Sequence, residues 1–419
     1  MKVFFRRIHL YLSLAAGLVI LIACLTGAIL VFQKEAEQTF HHDRYFIQPS
    51  GQRLALEQIV EGVKKQNPQS KINGIKVYSD PERSIEVSIG LGEKGKQGKD
   101  DHKGSIANQE TGNKEKPPSK NESEQGHKAG AKRAEGRGPG LIVFVNPYTG
   151  KVLETYNNRE SFFFTVMSLH RWLLGGNDSI GKYIMGISTF IFLFILITGI
   201  ILWWPRTRKI LVQRLKIKSN AGWKRINHDL HLLLGFYSSI FLFIFAFTAM
   251  AWSFEWFNNG IYKVTNSPIK SPEPPKSIYQ NNVKRIGFDA VYQAAQTVYR
   301  NVVFYNISAP KDSVSAFTVM ALSNYAVHES ATDAVYIDQY SGKILEQQLF
   351  SDRSLGARVR STFRPVHTGS IWGMPSKIIA FLVCLMGISF PITGVIMWLN
   401  RTRKKEKVKG KRILAEMEA

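Results

Sequence analysis

Ten histidines are spread through the 419 residues, and five of them stand at or beside long apolar runs. His9 precedes Thr26 by 17 positions, and His231 precedes Thr248 by the same 17. His170 and His367 stand 28 and 26 positions before Thr198-Gly199 and Thr393-Gly394. His228 is three residues before His231, on much the same helix face. An imidazole at membrane depth is costly and points to function by default. The spacing predicts two opposed pairs, His9 with His231 and His170 with His367. Two neutral imidazoles facing each other across an apolar bundle suit a bis-His b-type haem, and two such pairs predict two haems. The sequence leaves His228 as an alternative to His231.

Other chemistry fits less well. Zinc favours three or four ligands at short spacing, and His228-Asp229-x-His231 supplies half a site. A quinone site without haem is a further alternative. His41-His42-Asp43 read as a solvated loop. The cysteines, Cys24 and Cys384, both lie in apolar runs, so there is no cysteine cluster and no CxxCH attachment site for covalent haem. Haem propionates call for cations: Arg6, Arg7 and Arg225 on one side, Arg171 and Arg364 on the other. Glycines such as Gly17, Gly27, Gly199, Gly235 and Gly394 allow a flat macrocycle to approach, and equally serve helix packing. No G-x-G-x-x-G nucleotide loop follows a strand, so the electron donor is expected to be a separate cytoplasmic protein or a membrane quinol.

These residues need a scaffold, and the apolar runs supply it. Residues 10–32, 183–204, 232–254 and 378–399 each lack Asp, Glu, Lys and Arg. About 20 such residues cross a bilayer core. Four runs exclude a simple soluble protein. The first is too long for a signal peptide's apolar stretch and lacks a convincing cleavage site before Gln33. The net charge is +23, and +16 of it sits in residues 1–9, 205–225 and 401–419. The positive-inside rule then puts both termini in the cytoplasm. Trp172, Trp252, Trp256 and Trp372 mark the outer interface, and Trp203, Trp204, Trp223 and Trp398 the inner one. The charge is an orientation signal, so nucleic acid is excluded as a partner and the lipid bilayer is included.

The chain therefore divides into span 1 (1–32), an outer module (33–165), a histidine segment with span 2 (166–205), an inner loop (206–225), span 3 (226–256), a second outer module (257–360), a histidine segment with span 4 (361–400), and a basic tail (401–419). Each outer module reads as a helix followed by strands. The first has helical periodicity at Leu54, Ile59, Val60 and Val63, and strands near 75–77, 85–89 and 141–145. The second has a helix at 288–300 and strands near 302–308, 314–322 and 334–338. Residues 91–140, which include His102 and His127, are too polar to bury a core and are expected to be disordered. Val145-Asn-Pro-Tyr-Thr-Gly-Lys-Val-Leu-Glu154 lines up with Ile337-Asp-Gln-Tyr-Ser-Gly-Lys-Ile-Leu-Glu346, and Ile197-Thr-Gly-Ile-Ile-Leu-Trp203 with Ile392-Thr-Gly-Val-Ile-Met-Trp398. The fold class expected is a mainly α membrane protein: a four-helix bundle built as two parallel repeats, with two outer α+β modules.

Arg7-Ile-His9, Asp229-Leu-His231 with Gly235, Leu169-His-Arg-Trp-Leu173 and the two Ile-Thr-Gly…Trp ends resemble the PepSY-associated transmembrane family of iron-regulated bacterial membrane proteins. The paired Tyr-[Thr/Ser]-Gly-Lys-[Val/Ile]-Leu segments resemble PepSY domains. The resemblance covers nearly the whole chain outside 91–140. It departs at Ser13, which stands where the repeat has Gly235. It implies a di-haem inner-membrane reductase that passes electrons to a ferric siderophore in the periplasm, with haem ligation by His9, His170, His231 and His367. Two other readings remain: a non-enzymatic module whose PepSY domains bind peptide or restrain a protease, and a siderophore or iron transporter.

Overall fold

A computed structural model describes residues 1–91, 140–279 and 283–417. The expectation of disorder over 91–140, with His102 and His127, falls almost wholly outside the described residues.

The chain opens with α1 (Lys2–Val31), then the short α2 (Gln33–Phe40) and the single turn α3 (His42–Tyr45). Helix α4 (Leu56–Gln66) leads into β1 (Ser70–Tyr78), β2 (Ile85–Leu91), β3 (Leu141–Val145) and β4 (Val152–Asn157). Helices α5 (Phe162–Trp172), α6 (Ile180–Trp203) and α7 (Arg208–Arg214) return the chain to the side of the bundle that carries the termini. The second half runs through α8 (Trp223–Ser253), α9 (Glu255–Val264), α10 (Phe288–Val298), β5 (Val302–Ser308), β6 (Phe317–Ser323), β7 (Asp333–Ile337), β8 (Ile344–Gln348), α11 (Leu355–His367) and α12 (Met374–Met417). Edge strands β4 and β8, which begin inside the two aligned Gly-Lys segments, add one strand to each half beyond those read from the sequence.

Four described helices, α1, α6, α8 and the Met374–Arg403 part of α12, are long and apolar enough to cross a membrane. They form a ring. Helix α1 packs on α6 and α12, α8 packs on the same two, and α1 and α8 face each other across the diagonal. The core between them is apolar, with Ala16, Ile20, Leu193, Leu242, Ala246 and Met250 buried.

The two outer segments do not stand apart. Their strands join in one antiparallel sheet of order β4-β3-β2-β1-β5-β6-β7-β8. The seam pairs Gly74–Tyr78 with Phe304–Ser308. A Cβ on Gly74 would sit 2.5 Å from the carbonyl oxygen of Ile307, so the seam demands glycine there. Alternating apolar residues such as Ile75, Val87, Val143, Ile307, Val319 and Val335 bury one sheet face under α4 and α10. Those helices cap each other. The Leu56 amide donates to Asp289 Oδ1 at 2.7 Å, and the Asp289 amide donates to the Glu57 carboxylate at 3.0 Å. Each acid thus satisfies orphan N–H groups at the other helix's start.

The sheet's outer edges position chemistry. Strand β4 runs through one turn into α5, which ends just past His170, and β8 does the same into α11, whose last residue is His367. Helix α5 is separated from α6 by a turn in which Leu173 and Leu174 adopt positive φ.

Candidate functional site

On the sheet side of the bundle, the His170 and His367 rings lie 6.2 Å apart between centres, inclined at 62°. Nδ1 of His170 is 2.9 Å from Thr26 Oγ1 on α1. Nδ1 of His367 is 3.1 Å from Thr248 Oγ1 and 3.0 Å from the Phe245 carbonyl on α8. Each threonine spends its own hydrogen down its helix, Thr26 to the Ile22 carbonyl at 2.6 Å and Thr248 to that of Ile244 at 2.8 Å. Their oxygens then accept, so each imidazole carries its proton on Nδ1. Nε2 keeps its lone pair for a metal. Burial, with the neighbouring His367 adding to it, holds His170 down to about 4, and burial holds His367 at about 4 as well, so both rings are neutral near pH 7.

On the terminal side the same device recurs. Nδ1 of His9 on α1 meets Thr198 Oγ1 at 3.0 Å and the Ile195 carbonyl at 3.1 Å. Nδ1 of His231 on α8 meets Thr393 Oγ1 at 2.7 Å. Thr198 and Thr393 donate to the carbonyls of Phe194 and Ser389, each at 2.8 Å. The residue after the threonine is small. A Cβ on Gly27, Gly199 or Gly394 would lie 3.5, 3.4 or 3.8 Å from Cε1 of His170, His9 or His231, and Ala249 takes that place beside Thr248. Any larger side chain would push the ring.

His9, His228 and His231 line one cavity of about 1370 Å³. His231 has the orienting threonine. His228 is exposed, and its Nδ1 lies 3.4 Å from Oδ1 of the buried Asp229. The geometry therefore favours His231 as the partner of His9. Lys2, Arg6, Arg214, Lys224, Arg225 and Arg401 also line the cavity. Arg225 is held 2.8 Å from Asp229, and Arg7 is exposed outside the lining. On the sheet side, Arg171 lies over the Trp172 ring at 4.8 Å. Arg364 is exposed, whereas Arg360 covers Trp252 at 4.9 Å, and Trp252 meets His367 edge-on at 5.4 Å.

The donor set fits bis-imidazole ligation. Two metal–nitrogen bonds of about 2 Å on opposite sides of one ion set the ring centres roughly 6 Å apart, as His170 and His367 are. Among the described residues, no three His, Cys, Asp or Glu side chains gather as a metal-binding group. Counting 17 residues from His9 to Thr26 at about 1.5 Å per residue, the two pairs are separated by about 25 Å along the bundle. That is most of the roughly 30 Å hydrocarbon core.

The spacing of histidine to threonine was visible in the sequence, but the threonines' role was not. Thr-Gly reads there only as a marker of the repeat. Arg360 carried no sequence signal beyond its charge.

A family model for the PepSY-associated TM region matches residues 6–401. No curated protein matches the chain.

Proposed function

The chain belongs to the PepSY-associated TM region family, and on that premise we propose that it is a two-haem transmembrane reductase of the bacterial inner membrane. His9 and His231 would hold one b-type haem near the cytoplasmic face. His170 and His367 would hold the other near the periplasmic face, under the sheet. The observation that carries this reading is the fourfold recurrence of one arrangement: an imidazole whose Nδ1 is committed to a threonine oxygen, leaving the Nε2 lone pair free. Helix packing alone needs no such device. A ligand imidazole does, because the hydrogen bond to its other nitrogen fixes tautomer and ring orientation.

Bound haem supplies one-electron redox chemistry. The protein's own residues do the rest. The threonines hold the ligands, and the apolar core between the pairs excludes water. Cations on each side, among them Arg6 and Arg171, suit the propionates. Electrons enter from the cytoplasm or the quinol pool and leave to periplasmic ferric iron, most readily as a ferric siderophore. Reduction to Fe(II) frees the metal, since siderophores grip Fe(II) far less. The two outer segments of the single sheet are PepSY-like modules in this reading, and the whole is a parallel duplication.

The test is a dithionite-reduced minus oxidised spectrum of the purified protein, with haem counted per chain. Two b-type haems per chain are expected. A protein purified from haem-replete cells without such bands overturns the proposal.

A further inference from the structure

The terminal-side cavity offers more than its histidine pair uses. Its volume of about 1370 Å³ exceeds the roughly 300–1,000 Å³ of a pocket built for one small ligand. Its wall is largely apolar and includes Leu14, Leu18 and Ile392, which are 41, 72 and 50% exposed on the outside of the bundle. The chamber thus reaches the surface that lipid covers.

One titratable group in it has no role in holding the pair. His228 lies one turn before His231, with no threonine behind it. Its Nδ1 faces Asp229, a carboxylate only 4% exposed and fixed by Arg225. A carboxylate that accepts from Nδ1–H leaves Nε2 of His228 as a base at an accessible face. A base on a largely apolar chamber open to lipid matches one ligand chemistry. That chemistry is a flat ring bearing hydroxyl groups and an apolar tail.

We propose that this chamber binds a membrane hydroquinone beside the histidine pair, as the electron donor, with His228 as the base. The proposal rests on the two-haem reading for the electrons' destination. The balance is simple. One hydroquinone becomes one quinone as both O–H bonds break. Its two electrons reduce two ferric ions outside to ferrous ions. Its two protons pass in turn through Nε2 of His228 to cytoplasmic water.

The experiment uses the full-length protein in nanodiscs. Decylubiquinol is the reductant, and appearance of the reduced b-type band is followed. His228→Gln should slow that reduction about 100-fold, with haem content and the dithionite-reduced spectrum unchanged. An azido-quinone photoprobe supplies a readout independent of redox activity. It should label the cavity-lining residues of α1, α6, α7, α8 and α12 at the terminal end of the bundle, and decylubiquinone should compete it away. Labelling spread evenly over the lipid-facing helices, or an unchanged rate in His228→Gln, overturns the proposal and leaves a soluble protein as donor. Absence of b-type bands with dithionite would instead sink the two-haem reading, while the photoprobe still judges the chamber.

Discussion

The two histidine pairs share one local design and live in opposite surroundings. On the sheet side, two short helices hung from the edges of one sheet bring His170 and His367 to 6.2 Å. Trp252 and Arg360 close over that pair. On the terminal side, His9 and His231 sit on the spans themselves and face a cavity of about 1370 Å³. The difference separates two jobs. The threonine behind each ring sets which nitrogen is free, and that is a local matter of one hydrogen bond. The surroundings set how far apart the rings are and what else can enter. In the reading proposed above, the tight pair serves one-electron exit, and the roomy pair shares its space with a donor.

The largest expected effects break the pairs outright. His170→Ala or His367→Ala should remove one haem of two and abolish ferric reduction, while leaving the terminal-side haem spectrally intact. His9→Ala or His231→Ala should remove the other. His228→Ala should remove neither. Haem-to-protein ratios in the five variants decide the matter. Equal haem in all five would mean that the pairing is structural only.

A finer cut leaves the ligands in place and removes what orients them. Thr26→Val and Thr198→Val keep shape but delete the oxygen that accepts from Nδ1. Loss of such an outer partner costs a metal site about 10- to 100-fold in affinity. Haem retention under dilution and the midpoint potential should both change, each variant perturbing only its own pair. The preformed sheet-side pair should tolerate the loss better, because α5 and α11 still fix the rings. Gly27→Leu should do the reverse. Its Cβ alone already lies 3.5 Å from both His170 Cε1 and Cys384 Sγ, so the branches beyond must displace the ring. Ser13→Gly, which touches no hydrogen bond of either pair, should change neither spectrum.

How much of this was legible follows from the range of the forces involved. Span boundaries and the 17-residue offsets are local and periodic, so they stand in the sequence. One helix and most strands of each outer segment were legible for the same reason, whereas α2, α3 and α9 were not read. The seam between β1 and β5 was not, since it joins residues more than 200 positions apart through backbone groups alone. Nothing about Gly74 as a letter says that Ile307's carbonyl will approach it. The place where α5 ends was hidden too, because the turn begins with leucines, Leu173 and Leu174, at positive φ before it reaches Gly176. The threonines stood in the sequence only as markers of the repeat, because their partners lie on other helices, 144 and 189 positions away in the cases of Thr26 and Thr198.

The smallest predicted effect asks whether the sheet, and not the spans alone, sets the geometry of the tight pair. Asp289 caps α4 from α10, and Glu57 caps α10 from α4, so these two residues tie the halves of the sheet's helical cover together. Asp289→Ala leaves the α4 amides without their acceptor and should cost the outer domain about 1 kcal/mol. The histidines of the tight pair hang from β4 and β8, at the far edges of that same sheet. Loosening its centre should therefore lower the unfolding temperature of the outer domain by a few degrees. The sheet-side haem should broaden in its spectrum before the terminal-side haem responds. The terminal-side histidines make their hydrogen bonds to Thr198 on α6 and Thr393 on α12, at the end of the bundle away from the sheet, so the cap should reach that pair last. If both haems respond equally, the sheet is only a cover and the spans position both pairs. If only the sheet-side haem responds, the sheet works as the jig for that pair.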